Sequence, residues 1–234
     1  MRILALETAT EACSVALWVD GAILERFELA PRRHAELVLP MADALLAEAG
    51  IGKRQLDAIA VGRGPGAFTG IRLAIAVAQG LALALDRPVL PVSTLAALAM
   101  GHRGQALPIL ALLDARMGEV YAGAFAPDAD GLVTAVGEEA VLPPGSVAAP
   151  SARFVGIGTG FGAHVDALRA RFADRLHSMD PDALPHAADL VRLAARDLAA
   201  GNGVDPQDAQ PIYLRDKVAL TLAEQGKPTP PGVD

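Results

Sequence analysis

Cysteine is all but missing from this chain: Cys13 is the only one in 234 residues. An intramolecular disulfide and a zinc site built from cysteines are thereby excluded, which suits a reducing compartment. Histidine is sparse as well. His34, His102, His164, His177 and His186 contain no pair at the H-x-x-x-H spacing that sets two ligands on one face of a helix, so the chain alone is not expected to hold a metal. Cations are in the minority, 20 Lys plus Arg against 27 Asp plus Glu, for a net charge of -7. Affinity for nucleic acid comes largely from cationic contacts to phosphate, so a partner would have to hold any nucleic-acid substrate. No G-x-S-x-G elbow is present, and Cys13 has no histidine near it in sequence, so it reads as a small buried residue. The longest apolar run, residues 71–85, falls short of the ~20 residues that span a bilayer and carries Arg72 and Gln79. Glu7 and Glu11 interrupt the apolar N-terminus, which argues against a signal peptide and a membrane location.

What is present is apolar. Hydrophobic residues make up 52 %, charged residues 20 %, and the mean hydropathy is +0.34, the composition of a globular chain. The length accommodates one large domain or two lobes of roughly 100 residues. RILALE, SVALW and AILERFEL read as three antiparallel strands, the last two joined by the hairpin signal Asp20-Gly21. A helix is expected over residues 34–49, stopped by Gly50 and kinked or divided by Pro40. A buried strand over 56–62, a long helix over 69–85, a short strand and a helix capped by Ser93 complete a first lobe. A second cycle opens with strands over 107–114 and 119–125. Loops with one short strand are expected over 126–150, then a strand over 154–158 and helices over 164–172 and 186–200. The order of elements is thus repeated without any visible sequence repeat.

Two segments carry most of the functional signal. GRGPGAFTG, residues 62–70, leads from a strand into a helix, where backbone N–H groups can meet a phosphate. It has neither the Lys-Ser/Thr of a P-loop nor a G-x-G-x-x-G pattern, and a tight turn is the simpler reading. In the helix that follows, twelve of the 17 residues 69–85 are Ala, Ile, Leu or Val. A helix apolar all round must be covered on every side, and one lobe rarely covers it alone. The preceding helix presents Leu37, Met41 and Leu45, so these two helices together read as a subunit interface, with an unusually buried core helix as the alternative. A second glycine segment, GIGTGFG at residues 156–162, either admits a nucleotide or is a turn. Glu7, Glu11 and Asp114 fall at strand ends or hairpins, where a cleft or plain solvated turns are both compatible with the pattern.

Taken together, ILALETATEACSVAL, RRHAELVLPM, GRGPGAFTGIRLAIAVAQGLA, PVSTLAALA, LLDARMGEVYAG and PIYLRDKVA resemble the TsaB (YeaZ) family, in order and over almost the whole chain. The resemblance implies an α/β fold of the actin-like, sugar-kinase-like (ASKHA) class with related lobes over residues 1–102 and 103–215 and a partly disordered tail over 216–234. It implies a cleft faced by Glu7, Thr8, Glu11, Asp114, Arg116, Gly158 and Gly160. It further implies a cytoplasmic, non-catalytic subunit that binds TsaD as a heterodimer and works with TsaE. That complex consumes ATP to place threonylcarbamoyl on N6 of the adenosine next to the anticodon of tRNAs reading ANN codons. In this account the chain itself binds no cofactor, meets tRNA only through the complex, and can form a homodimer when alone. Contact to TsaD would involve Leu37, Met41, Leu45, Arg72, Leu73, Ala76, Gln79, Gly80 and Leu83. Thr94 and Leu98 stand where TsaD carries its metal-binding His-x-x-x-His pair. A stand-alone ATPase or glycoprotease-like hydrolase of the same fold is the competing expectation.

Overall fold

The structure, a computed structural model, describes residues 1–215; the expectation for residues 216–234 lies outside them. Strands β1 (Arg2–Glu7), β2 (Ala12–Val19) and β3 (Ala22–Leu29) open the chain. Asp20 and Gly21 join β2 to β3 with φ of 48° and 101°, the left-handed pair whose twist suits a two-residue hairpin. Helix α1 (His34–Glu48) ends where Gly50 takes φ 64°, which lets the Ile51 N–H reach the Leu46 carbonyl. Strand β4 (Ala58–Gly62), helix α2 (Phe68–Leu85), strand β5 (Val89–Val92) and helix α3 (Thr94–Met100) follow. The Ser93 hydroxyl caps α3 by accepting from the Ala96 N–H at 3.1 Å. The sheet order is β3-β2-β1-β4-β5, with β1, β4 and β5 mutually parallel.

The second sheet repeats this plan. Strands β6 (Ile109–Arg116) and β7 (Glu119–Pro127) form a hairpin, and the short β8 (Val133–Ala135) and β9 (Ala140–Leu142) divide the outer edge of β7 between them. Strands β10 (Phe154–Ile157) and β11 (Leu176–Asp180) add in parallel on the other side of β6, with helices α4 (Thr159–Ala163) and α5 (Val165–Phe172) between them. Helix α6 (Ala187–Ala199) then returns to the first lobe, packing on β1, β2, β4 and β5 and against α3. After it Val204 bridges to Val89, so the chain from α6 onward is built onto the first sheet.

Three cores result. The central one lies between the two sheets, where Leu95, Leu98 and Met100 of α3 and Leu190, Val191 and Leu193 of α6 meet Ile3, Ala60, Ile109 and Ile157. A second lies under α1 and α2 on the other face of the first sheet, and a third under α4 and α5, around Phe154, Phe161 and Phe172. Each sheet is therefore covered on both faces, which explains the near-continuous apolar runs of β1, β4 and β10.

Three expectations need correction. Helix α1 runs unbroken through Pro40, which lies on its exposed side, where water can take up the Glu36 carbonyl left without a helical partner. The region 126–150 holds two short strands rather than one. Helix α4 and strand β11 were not anticipated: TGFGA is rich in glycine and LHSMD is polar, so neither shows an apolar period.

Candidate functional site

The turn between β4 and α2 is shaped by the chain itself. A Cβ on Gly62 would stand 2.1 Å from a Glu7 carboxylate oxygen, one on Gly66 2.3 Å from the Ala9 carbonyl, and one on Gly70 2.0 Å from the Thr8 carbonyl. The Thr8 hydroxyl donates to the Gly70 carbonyl at 2.7 Å and the Ala67 N–H to the Ala9 carbonyl at 2.7 Å. The first hairpin thus lies directly on the glycine turn. The hairpin takes up the Ala67 N–H, while residues 65–70 still line the cleft at the start of the helix that follows.

Glu7 is buried at the end of β1 and does not line the cleft, contrary to expectation. One carboxylate oxygen accepts from the Ala9 N–H at 2.8 Å and the other from the Thr94 hydroxyl at 3.0 Å. Burial pushes its pKa up to about 7, against the opposing pull of those bonds. Thr94 is itself buried at the start of α3, and Leu98 belongs to the central core. Next to them the Ser93 hydroxyl donates to Glu139, whose pKa is raised by burial. Sequence reasoning had no signal for Glu139, which comes from an irregular acidic stretch.

Between the lobes lies a cleft of about 1260 Å³. Its lining includes Thr8, Glu11, Arg32, Asp114, Arg116 and Arg215. Of the cleft residues expected from sequence, Thr8, Glu11, Asp114 and Arg116 are brought together here. Asp114 is already engaged: it accepts from the Arg116 N–H at 2.9 Å and pairs with the Arg116 guanidinium at 3.0 Å. Gly158 and Gly160 do not face the cleft. Gly158, at φ 97°, and Gly160 are buried against the backbone and side chain of Leu112, and the Phe161 ring fills the space over Gly156. The second glycine segment therefore lets α4 close onto β6 and offers no room for a nucleotide against it.

Helix α2 is buried on one face only, through Gly70, Ile71, Ala74, Ile75, Ala78 and Ala82. The opposite stripe, Phe68, Arg72, Ala76, Gly80 and Leu83, is exposed, Leu83 to 76 % and Phe68 to 47 %. The alternative of an unusually buried core helix is therefore not met: among the described residues the chain covers one face of α2 and leaves the other open. Leu37 and Met41 of α1 and Leu73 of α2 are half-buried, and Leu39 adds another exposed apolar side chain. Leu45, expected at the interface, has no exposure and belongs to the core under the sheet. Gln79 is engaged by its own chain, donating to the Ala209 carbonyl at 3.1 Å. By length and mean hydropathy of 1.7, α2 would qualify as a membrane span. Its buried face forms part of the first sheet's core, so insertion would dismantle that sheet.

Past α6 the chain crosses the mouth of the cleft. The Arg72 Nε donates to the Tyr213 hydroxyl at 2.6 Å, and the Arg72 guanidinium sits 3.7 Å above the Phe68 ring centre. The Arg215 guanidinium donates across to the Ala115 carbonyl at 3.1 Å and to Glu119 at 2.6 Å. The PIYLR segment was visible in sequence only as part of a resemblance, with no period to reveal its role. Among the described residues, no group of three or more His, Cys, Asp or Glu is placed to hold a metal.

Two mixed sheets of one repeated topology, a hairpin of each bordering a central cleft, define an α/β protein of the actin-like, sugar-kinase-like (ASKHA) class. Residues 27–222 match the family model described as TsaD, tRNA N6-adenosine threonylcarbamoyltransferase. The chain is 43 % identical over 226 residues to the tRNA threonylcarbamoyladenosine biosynthesis protein TsaB of Escherichia coli K12, covering 94 % of this chain and 96 % of that one. It is 36 % identical to the TsaB of Haemophilus influenzae over 93 % of this chain and 95 % of the relative. The solved structure of YeaZ from Pseudomonas aeruginosa superposes with a TM-score of 0.82 at 48 % identity, covering 91 % of this chain and 99 % of that one. This chain belongs to the TsaB (YeaZ) family.

Proposed function

We propose that this chain is a non-catalytic subunit in the synthesis of threonylcarbamoyladenosine on tRNA. It docks on TsaD through α2 and α1, acts in the cytoplasm alongside TsaE, and meets tRNA only through that assembly. The observation that carries this reading is the bare stripe of α2, from Phe68 through Arg72, Ala76 and Gly80 to Leu83. Small residues at Ala76 and Gly80 allow a second helix to approach closely, and Leu83 and Phe68 supply apolar area at the two ends. The absence of a catalytic role is supported by two features. Glu7 is sealed under the glycine turn with its oxygens committed to Ala9 and Thr94, and Asp114 is paired within its own hairpin. When TsaD is absent, the same stripe is available to a second copy of the chain.

The test is co-expression with TsaD, followed by affinity purification and a tRNA modification assay with and without this chain. Leu83→Glu changes the free chain's stability by no more than about 0.5 kcal/mol, because the side chain is largely exposed. Buried against a partner, the same change weakens TsaD binding by about 2 kcal/mol or more, roughly thirtyfold, and modification falls with it. Wild-type affinity in a folded Leu83→Glu protein refutes the proposed surface. Modified tRNA made at full rate without this chain refutes the proposed role.

A further inference from the structure

Residues 209–215 carry no regular secondary structure beyond the end of a short turn, yet they are tied at both ends to different lobes. On the first-lobe side, Gln79 of α2 donates to the Ala209 carbonyl, the Ile212 N–H donates to the Arg63 carbonyl at 2.9 Å, and Arg72 of α2 donates to Tyr213. Phe68, at the start of α2, packs on the Tyr213 ring with centres 5.6 Å apart. On the second-lobe side, two residues further on, Arg215 grips the turn between β6 and β7 at four points. It donates to the carbonyls of Ala115 and Arg116, to the Met117 sulfur at 2.9 Å and to the Glu119 carboxylate.

That turn holds a strained backbone. Arg116 and Met117 are consecutive non-glycine residues in the left-handed region, at φ 63° and 56°, before Gly118 at 77°. Non-glycine residues hold such a backbone only where their surroundings over-determine it. Here the surroundings are the Arg215 clamp and Asp114, which accepts from the Arg116 N–H. The turn projects its side chains outward, Arg116 86 % and Met117 63 % exposed.

We propose that residues 209–215 form a strap that couples docking on α2 to the conformation of the β6–β7 turn across the cleft. The inference rests on the reading of α2 as the docking face. A partner that seats on Phe68 and Arg72 takes hold of the same two side chains that position Tyr213, and Tyr213 in turn sets where Arg215 stands. Docking at one wall of the cleft is thereby transmitted to the other through one short run of chain. Arg215 is a positioning residue in this device: it acts through the turn.

The experiment is hydrogen exchange on the full chain, free and bound to TsaD, in wild type and in Arg215→Ala, Arg215→Lys and Leu83→Glu. In wild type, binding protects both α2 and the peptide containing residues 115–119. Arg215→Ala speeds exchange of that peptide in the free chain about tenfold, the loss of one charge-assisted set of bonds, and abolishes its response to TsaD while α2 remains protected. Arg215→Lys, which supplies a point charge but no fork, restores part of the slow exchange and keeps the fold as a check. Protection of α2 with no change at 115–119 in wild type overturns the coupling and leaves the docking face intact. A turn response that persists in Arg215→Ala also overturns it, since TsaD would then touch the turn directly. Undiminished TsaD binding by Leu83→Glu instead overturns the docking face on which the inference rests.

Discussion

Replacing Glu7 with glutamine should make the protein more stable above neutral pH, although it removes a carboxylate that accepts from two partners. The carboxylate is fully enclosed, and burial raises its pKa from 4.5 to about 7. A carboxylic acid whose folded pKa lies above its unfolded value contributes stability that is fully present below about pH 4.5 and is lost as the pH rises through about 7. The gap corresponds to about 3 kcal/mol lost between those limits. Glutamine has the shape of the protonated acid and no charge to bury. Its carbonyl can accept from the Ala9 N–H, as Oε1 does now, while its amide donates to the Thr94 oxygen once that hydroxyl rotates. Unfolding by urea at about pH 5 and about pH 8 gives the two stabilities for each protein. Other titrating groups act alike in both, so the difference between the differences isolates Glu7. Wild type and Glu7→Gln should agree within about 1 kcal/mol in acid and diverge by up to about 3 kcal/mol in base, with the variant ahead. A variant that loses as much stability as wild type on going from acid to base would falsify the account of Glu7 as an enclosed, neutralising acid. So would a variant less stable than wild type at the higher pH, which would mean that the charged form is what the site holds.

Gly70→Ala should cost about 3 kcal/mol or more, read as a fall in thermal midpoint, because the added methyl meets the Thr8 carbonyl at 2.0 Å; a neutral result would show that the hairpin and turn can separate. At the N-terminus of α6, Glu25 accepts from His186 and from the Ala188 N–H, and the Ser14 hydroxyl joins it to the Ala187 N–H. His186 is raised by its bond to Glu25, so its share of stability is present below its usual 6.5 and is lost as the pH rises through the higher folded value. Burial pushes Glu25 up, but His186, Ala188 and Ser14 together bring it below 4.5, so its share is present above 4.5 and is lost as the pH falls through the lower folded value. Thermal midpoints of wild type against Glu25→Gln should therefore differ most in mildly acid buffer, above 4.5 and below 6.5; an equal gap at all pH values would remove His186 from the explanation.

Much of the fold could be read in the chain because local signals agreed with tertiary needs. Asp20-Gly21 marks its hairpin, Ser93 caps α3, and Gly50, at positive φ, closes α1. The elements that escaped, α4 and β11, are dictated by what they pack against: Phe161 over Gly156 for one, and a place at the open edge beside β10 for the other. The site was harder for a similar reason. An apolar helix announces that something covers it, yet the sequence of α2 does not say which face its own sheet takes, and Leu45 of α1 was assigned to the wrong side. Glu7, Gly158 and Gly160 suggested a ligand because acids and glycines at strand ends serve both ligands and close packing. Only the positions of Thr94 and Leu112 decide between the two.

Helix α6 also dictates an order of events during synthesis. The first sheet is complete in sequence at Val92, but the face formed by Ile3, Ala5, Ala16 and Ala60 is covered by Leu190, Val191 and Leu193, which emerge only after the whole second sheet. At about 5–20 residues per second, a ribosome leaves that face bare for on the order of ten seconds in every chain it makes. A transcript cut short before Ala187 therefore yields a sheet with one greasy side and no lid, a substrate for chaperones and proteases rather than a smaller working protein.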